Sequence, residues 1–278
     1  MERAKRSLSQ NFLVDHNIRR KIVAELGAGP DDSVLEVGPG HGELSDLLVG
    51  QVNSLVLVEK DDRLASELAA RFPGRADVRV VHGDALEVDL AGLLPGDRPG
   101  LLISNLPYGI TSPLIFRFLD MRPLPHRMVL LVQKEVGERI TAAEGNKVYG
   151  ALSVGVQARA EVRVAFRVGR LAFRPVPAVD SAVIVIEPRP DPEHGDRLTA
   201  LRVLTRVAFS RRRKQLGRIL RSAPEYDLPT ADVDRVLEAC GLSPQARPET
   251  LTPAQFIELA GRLAKIRQDG PAGPPPTS

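Results

Sequence analysis

Short runs of Val, Leu and Ile alternate with longer segments of mixed polarity from about residue 33 onward. Continuous apolar runs of this length are typical of strands that are buried on both faces of a sheet. They predict strands at 33–37, 54–59, 78–82, 101–104, 127–133, 162–168 and 181–187. Two of the intervening segments, 63–72 and 112–120, carry the apolar spacing of helices. The alternation predicts an α/β fold with a mostly parallel sheet, and the stretch of Phe and Pro between the last two strands favours an antiparallel end.

A proline-rich break at 188–196 separates this pattern from a purely helical one. Helical spacing follows over 196–209, 211–221, 230–241 and 252–265. We therefore expect an α/β domain over 1–190 and a small helical domain over 191–265. The final residues, 266–278, are rich in Pro and Gly and are expected to be disordered.

The composition is that of an ordinary globular protein, with 278 residues, 43% hydrophobic and 26% charged. A single cysteine, Cys240, excludes an intramolecular disulfide and fits a reducing compartment. The charged N-terminus and the lack of an apolar run of about 18 residues predict a cytoplasmic protein with no membrane contact. The five histidines show no metal-like spacing, so we expect no metal site, and a monomer is the default expectation.

Basic residues are concentrated in a few segments, although the formal net charge is only +3. The run 210–221 holds six basic residues and no acid, among them Arg211, Arg212, Arg213 and Lys214. Together with basic stretches at the N-terminus and at 163–174, it favours a polyanionic partner that contacts these four side chains through phosphates. A solvated face, or a helix on a membrane surface, is the alternative.

A glycine-rich turn follows the first predicted strand, with Gly38, Gly40 and Gly42 in the segment EVGPGHGELS. It is neither a G-x-G-x-x-G fingerprint nor a P-loop, and such a turn can serve packing alone. Two acids strengthen the case for a nucleoside ligand. Glu59 ends the second strand, where a carboxylate can accept both hydroxyls of a ribose, and Asp84 follows the third, where it can accept from an adenine amine.

The fourth strand runs into Asn105, Leu106, Pro107 and Tyr108, which alone could be a simple turn between a strand and a helix. After a glycine loop and two acids, however, this segment looks like the base clamp of S-adenosylmethionine-dependent N6-adenine methyltransferases. The amide oxygen of Asn105 and the carbonyl of Leu106 can accept the two N–H bonds of the amine and free its lone pair. Pro107 holds that carbonyl in place, and Tyr108 offers a face for base stacking.

An ordered set of motifs over about residues 7–265 resembles the ribosomal small-subunit rRNA adenine N6,N6-dimethyltransferases. The motifs are SQNFL, EVGPGHGELS, NLPY, LVQKEVGERI, YGALSV, FRPVPAVDSAV, AFSRRRKQL and RPETLTPAQF. The resemblance implies a Rossmann-like methyltransferase domain followed by a helical RNA-binding domain. It also implies dimethylation of two adjacent adenosines in the 3′-terminal hairpin loop of small-subunit rRNA, on a late assembly intermediate of the small ribosomal subunit.

The resemblance also assigns roles to residues. Phe173, in the F-x-P-x-P turn, would stack on the adenine from the side opposite Tyr108. The remaining assignments are contacts to S-adenosylmethionine, expected for Asn11, Leu13, Gly38, Gly40, Glu59, Lys60, Asp84, Ala85 and Asn105.

Three other functions share part of this pattern. A large-subunit rRNA adenine methylase would have the same fold and clamp, but AFSRRRKQL and RPETLTPAQF favour the small-subunit branch. A DNA N6-adenine methylase would more often have proline where this chain has Leu106. A non-catalytic nucleic-acid-binding homologue is disfavoured by the intact cofactor loop and clamp.

Overall fold

A computed structural model describes residues 11–94, 100–189, 194–226 and 228–269 of the chain. Its strands are β1 Phe12–Leu13, β2 Ser33–Val37, β3 Ser54–Glu59, β4 Val78–His82, β5 Leu101–Asn105, β6 Arg127–Gln133, β7 Ala160–Val168, β8 Phe173–Arg174 and β9 Ser181–Pro188. Its α-helices are α1 His16–Leu26, α2 Ser45–Leu48, α3 Asp62–Arg71, α4 Thr111–Asp120, α5 Lys134–Ile140, α6 Ala151–Gln157, α7 His194–Ser210, α8 Leu216–Arg221, α9 Thr230–Ala239 and α10 Pro253–Asp269. The tail 266–278 was predicted to be disordered, but α10 continues to Asp269, so residues 266–269 are helical; the rest of the tail, from residue 270 on, lies outside the described residues.

Seven strands form one sheet in the order β4-β3-β2-β5-β6-β9-β7. The first five pair in parallel, and β9 runs antiparallel to both β6 and β7. The predicted mostly parallel sheet with an antiparallel end is therefore confirmed. The inner strands are buried along nearly their whole length, whereas the edge strands β4 and β7 are half exposed. Burial on both faces explains why the inner strands consist of continuous aliphatic runs.

The chain divides into two compact units, one of residues 1–138 and 160–189 and one of residues 139–159 and 190–278. The first unit contains the whole seven-stranded sheet. The second contains α6 to α10 around an apolar core. Tyr149 is fully buried in that core and its hydroxyl donates to the carbonyl of Leu251 at 2.8 Å. Residues 139–159 therefore group with the helical unit, although the sequence pattern assigns them to the α/β domain.

The basic run also differs from expectation, because 211–214 form a turn and α8 starts only at Leu216. The first two amides of α8 bind carbonyls from a distant loop: Leu216 donates to Ala246 at 2.7 Å and Gly217 donates to Pro244 at 3.0 Å. A Cβ atom at position 217 would lie 3.1 Å from Pro244, so the close approach favours glycine. These tertiary contacts override the helical spacing of the run.

In the described ranges, no helix is both long enough and apolar enough to cross a membrane. The same residues contain no group of three or more His, Cys, Asp or Glu side chains that could hold a metal ion.

Candidate active site

A cavity opens in the first unit where the parallel strands β2, β3 and β5 end. Parallel strands present their carboxyl ends at one edge, which is where ligands of open α/β sheets bind. The residues that line it are Asn11, Phe12, Leu13, Glu36, Gly38, Pro39, Gly40, Glu43, Leu44, Glu59, Asn105, Leu106, Pro107 and Tyr108. The structure thus brings together nine of the residues that the sequence assigns to the cofactor or the base.

The glycine-rich turn forms one wall of this cavity through bare backbone. Gly38 and Gly40 have φ values of 69° and 62°, a conformation that favours glycine. A side chain at Gly40 would lie 3.1 Å from the ring of Phe12, so only glycine keeps this space open. The turn therefore fits a ligand that approaches the backbone closely.

Glu59 ends β3 and is only 4% exposed. Its two carboxylate oxygens accept hydrogen bonds from the amides of Gly40 at 3.1 Å and Asp61 at 2.9 Å. Burial raises the pKa of this carboxyl, while these backbone amides oppose the rise. Each oxygen keeps a further lone pair, so Glu59 can tie the glycine turn to β3 and still accept from a ribose.

Lys60, Asp84 and Ala85 lie beside Glu59 but do not line the cavity. The ammonium of Lys60 contacts the carboxylate of Asp84 at 2.6 Å and holds the pKa of that carboxyl below its usual range. The other oxygen of Asp84 accepts from the amide of Leu86 at 2.9 Å. Cofactor contacts of these three residues stay predictions, and Asp84 would have to share its carboxylate with Lys60.

Asn105 and Leu106 are held in place through their N–H groups, which leaves the amide oxygen of Asn105 and the carbonyl oxygen of Leu106 unpaired in the part of the chain that the structure describes. Nδ2 of Asn105 donates to the carbonyl of Asn11 at 3.1 Å, and the amide of Leu106 donates to the carbonyl of Leu131 at 3.1 Å. Within the described residues, neither Oδ1 of Asn105 nor the carbonyl of Leu106 accepts a hydrogen bond from the protein. Two acceptors on adjacent residues are thus available to one ligand amine.

Pro107 and Tyr108 continue this edge into a short 3₁₀ turn, residues 108–110. The carbonyl of Pro107 accepts from the amide of Ile110 at 3.2 Å, which fixes the turn. The Tyr108 hydroxyl and Oγ of Ser181 lie 2.9 Å apart, within hydrogen-bond distance. Burial raises the pKa of the Tyr108 phenol, so the ring is neutral at physiological pH.

Phe173 lies in the core of the first unit and is completely buried. Its strand β8 pairs with β1, and the register places Phe173 opposite Leu13. In this arrangement the ring supports the cavity wall from behind and presents no exposed face to a base. The stacking role that the resemblance implies stays a prediction that requires the β1–β8 pair to move.

Five cavity residues are absent from the sequence-based assignments, and three of them, Phe12, Glu36 and Glu43, have aromatic or ionisable side chains. Phe12 packs against His41 with ring centroids 4.5 Å apart. Glu36 and Glu43 are carboxyls whose pKa values are raised by burial. Glu36 sits inside an otherwise apolar strand, SVLEV, which is the signal that could identify it. Phe12 and Glu43 carry no comparable signal.

The four basic residues of the 211–214 turn, in the second unit, fall into two groups. Arg211 donates to Oγ of Ser222 at 2.6 Å, and Arg212 donates to the carbonyls of Lys147 at 2.5 Å and Asn146 at 2.9 Å. The exposed side chains of Arg213 and Lys214 have no partner among the described residues. Two of the four cations therefore also serve packing, and the other two are free to meet a ligand.

A seven-stranded, mostly parallel sheet with a glycine turn, a buried acid after the second strand and an N-L-P-Y edge defines an S-adenosylmethionine-dependent methyltransferase. The chain matches the ribosomal RNA adenine dimethylase family over residues 1–265, and it belongs to that family.

Individual relatives agree with this assignment. The chain is 42% identical over 268 residues to ribosomal RNA small subunit methyltransferase A of Geobacter metallireducens, covering 95% of this chain and 97% of that protein. It is 39% identical over 272 residues to the protein of the same name from Geobacillus thermodenitrificans, covering 94% of this chain and 92% of the relative.

Two solved structures are also similar. A dimethyladenosine transferase from Plasmodium falciparum has a TM-score of 0.79 and 27% identity, covering 92% of this chain and 98% of that one. The 23S rRNA methyltransferase ErmE has a TM-score of 0.68 and 27% identity, covering 91% of this chain and 99% of that one.

Proposed function

We propose that this chain transfers methyl groups from S-adenosylmethionine to the N6 amines of two adjacent adenosines in the 3′-terminal hairpin loop of small-subunit rRNA. The observation that carries the proposal is the pair of unoccupied acceptors on Asn105 and Leu106 beside the cofactor cavity. Relatives named small subunit methyltransferase A support the choice of subunit. The substrate is a late assembly intermediate of the small ribosomal subunit.

The chemistry assigned to the clamp is the activation of a poor nucleophile. The lone pair of an exocyclic adenine amine is delocalised into the ring. Two acceptors on its N–H bonds favour a pyramidal nitrogen, and Oδ1 of Asn105 and the carbonyl of Leu106 supply them. Bound S-adenosylmethionine supplies an activated methyl group, so the protein's main task is alignment.

The anchors of these two groups serve the same task. The bond from Nδ2 of Asn105 to Asn11 fixes which end of the amide faces the ligand. The bond between Tyr108 and Ser181 fixes the ring on which the adenine would stack. Preorganised dipoles of this kind need no rearrangement during the reaction, which is what makes them effective in catalysis.

The proposal extends to the partner and the setting. We expect Arg213 and Lys214 of the helical unit to contact rRNA phosphates, and the enzyme to act as a monomer in the cytoplasm without a metal ion. Small subunits are present there during assembly. The helical unit then provides affinity and the α/β unit provides chemistry.

The test is incubation of the purified protein with labelled S-adenosylmethionine and small subunits that lack these methyl groups, followed by mapping of the modified nucleotides. We expect dimethylation at two adjacent adenosines near the 3′ end. Large subunits form the second arm, and modification confined to them would favour the large-subunit alternative instead. Absence of any methylation, with the cofactor still bound, would favour a non-catalytic binding protein.

A further inference from the structure

An exposed apolar patch lies on the first unit. Among the described residues, six large hydrophobic side chains are exposed, and four of them are Val14, Leu171, Val176 and Val179. Leu171 is 74% exposed, far more than the other three, which are at 44–45%. Single exposed apolar residues need no explanation, but a cluster of them marks an interaction surface.

Val14 is remote in sequence from the other three residues, and the small sheet of β1 and β8 brings it to them. β1 pairs with β8, and the next residue, Val14, donates its amide to the carbonyl of Ala172 at 2.8 Å. Leu171 precedes Ala172 in a 3₁₀ turn, and Val176 follows β8 by two residues. We call Val14, Leu171, Val176 and Val179 the rim patch.

Both chain segments that carry the rim patch also border the base clamp. Asn11 and Leu13, just before Val14, line the cavity, and the carbonyl of Asn11 holds the side chain of Asn105. Ser181, two residues after Val179, is the partner of the Tyr108 hydroxyl. A ligand whose reacting end enters the clamp therefore has its remainder next to the rim patch.

Cations accompany the patch. The exposed guanidinium of Arg170 has no side-chain partner within the described residues. Arg174 donates only to backbone carbonyls, those of Leu171 at 3.2 Å and Phe173 at 2.8 Å, so it braces the turn while keeping its charge unpaired. Asp180 is the nearby acid, and one of its oxygens accepts from the amide of Arg170 at 3.0 Å. Apolar side chains can contact the bases of a nucleic acid strand while neighbouring unpaired arginines contact its phosphates.

We propose that the rim patch binds the bases that flank the target adenosine, with Leu171 as an apolar wedge that fills the space the extruded adenine leaves. This inference rests on the proposed function. An enzyme that acts on a base must take it out of the stack, and an inserted apolar side chain stabilises the unstacked neighbours. Leu171 is suited to the task because it projects at a turn that is fixed by Arg174.

The first experiment compares Leu171→Asn with Leu171→Met in single-turnover methylation of small subunits that lack the methyl groups. Loss of base contact should lower the single-turnover rate constant at subsaturating subunit concentration about tenfold for Leu171→Asn, while Leu171→Met stays within about twofold of wild type. Val176→Thr, which changes a second position of the rim patch, should lower the same rate constant. Val164→Thr, at a 36% exposed site on β7 away from the patch, is its matched control and should keep the wild-type rate. Calorimetric affinity for S-adenosylmethionine and the melting temperature should not change in any of the four variants.

The second experiment places a photoreactive p-benzoylphenylalanine at position 171 and maps its crosslinks on small subunits. Crosslinks to nucleotides next to the methylated adenosines support the wedge. Crosslinks to a ribosomal protein, or kinetics of Leu171→Asn equal to those of Val164→Thr, overturn it while leaving the proposed function intact. Failure of the wild-type protein to methylate any subunit would instead overturn the proposed function.

Discussion

Replacement of Glu36 by Gln tests whether water reaches the Glu36 carboxyl at the wall of the cavity. Glu36 lies in β2, is 1% exposed, and accepts a hydrogen bond from Oγ of Ser45 at 2.6 Å. Burial raises the pKa of its carboxyl to about 8, and the neighbouring charges of Glu43, Asp46 and Glu59 add to the rise. Gln has almost the same shape and remains neutral at every pH.

The magnitude follows from the linkage between protonation and folding. The pKa of Glu36 is about 8 in the folded chain and 4.5 in the reference state, so the folded state holds its proton over a window where the unfolded state has lost it. The stability of the wild type relative to Glu36→Gln is therefore highest below the lower pKa and falls as the pH rises through the window. The slope is ~1.4 kcal/mol per pH unit and falls to half of that at the folded-state pKa, so the difference should decline by about 2 kcal/mol between about pH 6 and about pH 8.

The assay is urea unfolding of both proteins across this pH range, followed by circular dichroism. The chain has two compact units, so the relevant transition is the one that added S-adenosylmethionine shifts. Glu135→Gln, which removes an exposed carboxylate on α5, is the control for loss of charge alone. A difference between wild type and Glu36→Gln that stays flat from about pH 6 to about pH 8 would refute the reasoning, because it would mean that water reaches the carboxyl.

Cofactor binding should couple to the same proton. A cationic ligand in the cavity favours the ionised carboxyl and lowers its pKa, so binding near pH 7 should release a proton. Calorimetry in two buffers of different ionisation enthalpy measures that release. Glu36→Gln should bind without it.

Three further substitutions test the remaining assignments. Asn105→Ala should lower single-turnover methylation ~10²-fold or more with subunit binding intact, and wild-type turnover would exclude the clamp. Glu59→Gln replaces the charged acceptor proposed for the ribose hydroxyls by a neutral amide, a loss of ~1.5–3 kcal/mol, so calorimetry should show cofactor affinity more than tenfold weaker; unchanged affinity would remove Glu59 from the site. Arg213→Glu combined with Lys214→Glu should weaken subunit binding and reduce its salt slope by about 2. Arg212→Glu should in addition lower the melting temperature, and equal melting of the two proteins would contradict its bracing role.

Most of the sheet could be predicted because its inner strands are buried on both faces. β2, β3 and β6 begin and end where the apolar runs do, and β5 extends its run by one residue to Asn105. The edge strand β7 starts two residues before its run, because its N-terminal pairing with β9 depends on backbone hydrogen bonds rather than on apolar side chains. The antiparallel end was also predictable, because the Phe- and Pro-containing connection 169–180 lacks the helical spacing that a parallel crossover usually has.

The differences at 211–214 and 139–159 have one cause: the spacing of apolar residues within a short segment does not specify its tertiary contacts. The 211–214 turn has helical periodicity, yet the amides of Leu216 and Gly217 bind carbonyls almost thirty residues away. Residues 139–159 precede a sheet strand in sequence, yet Tyr149 belongs to the helical core. Neither these backbone hydrogen bonds nor the packing of Tyr149 can be predicted from a window of ten residues.

The site residues that could be predicted from the sequence are those at the carboxyl ends of the parallel strands. Glu59 and Asn105 follow parallel strands directly, so the topology brings them to one cavity. The pairing of Asp84 with Lys60, and the burial of Phe173 behind β1, depend on side-chain packing that the order of the strands does not specify. The roles that a resemblance assigns to these residues therefore need their own tests.

In the base clamp, residues 105–108, one set of atoms bonds to the rest of the protein and a different set is available to a ligand. Asn105 uses Nδ2 to bind the carbonyl of Asn11, Leu106 uses its amide to bind β6, and the hydroxyl of Tyr108 lies at hydrogen-bond distance from Ser181. What remains for a ligand is one amide oxygen, one carbonyl and one ring face, all within four consecutive residues. Asn105 lies at a half-buried edge where solvent can pair its amide oxygen until a ligand replaces it. Leu106 is only 1% exposed, and an unpaired buried acceptor costs ~1–3 kcal/mol, a cost that a ligand amine would remove. A turn built only for packing has no reason to keep its acceptors unpaired and side by side, which is why this geometry favours a binding site for an amine.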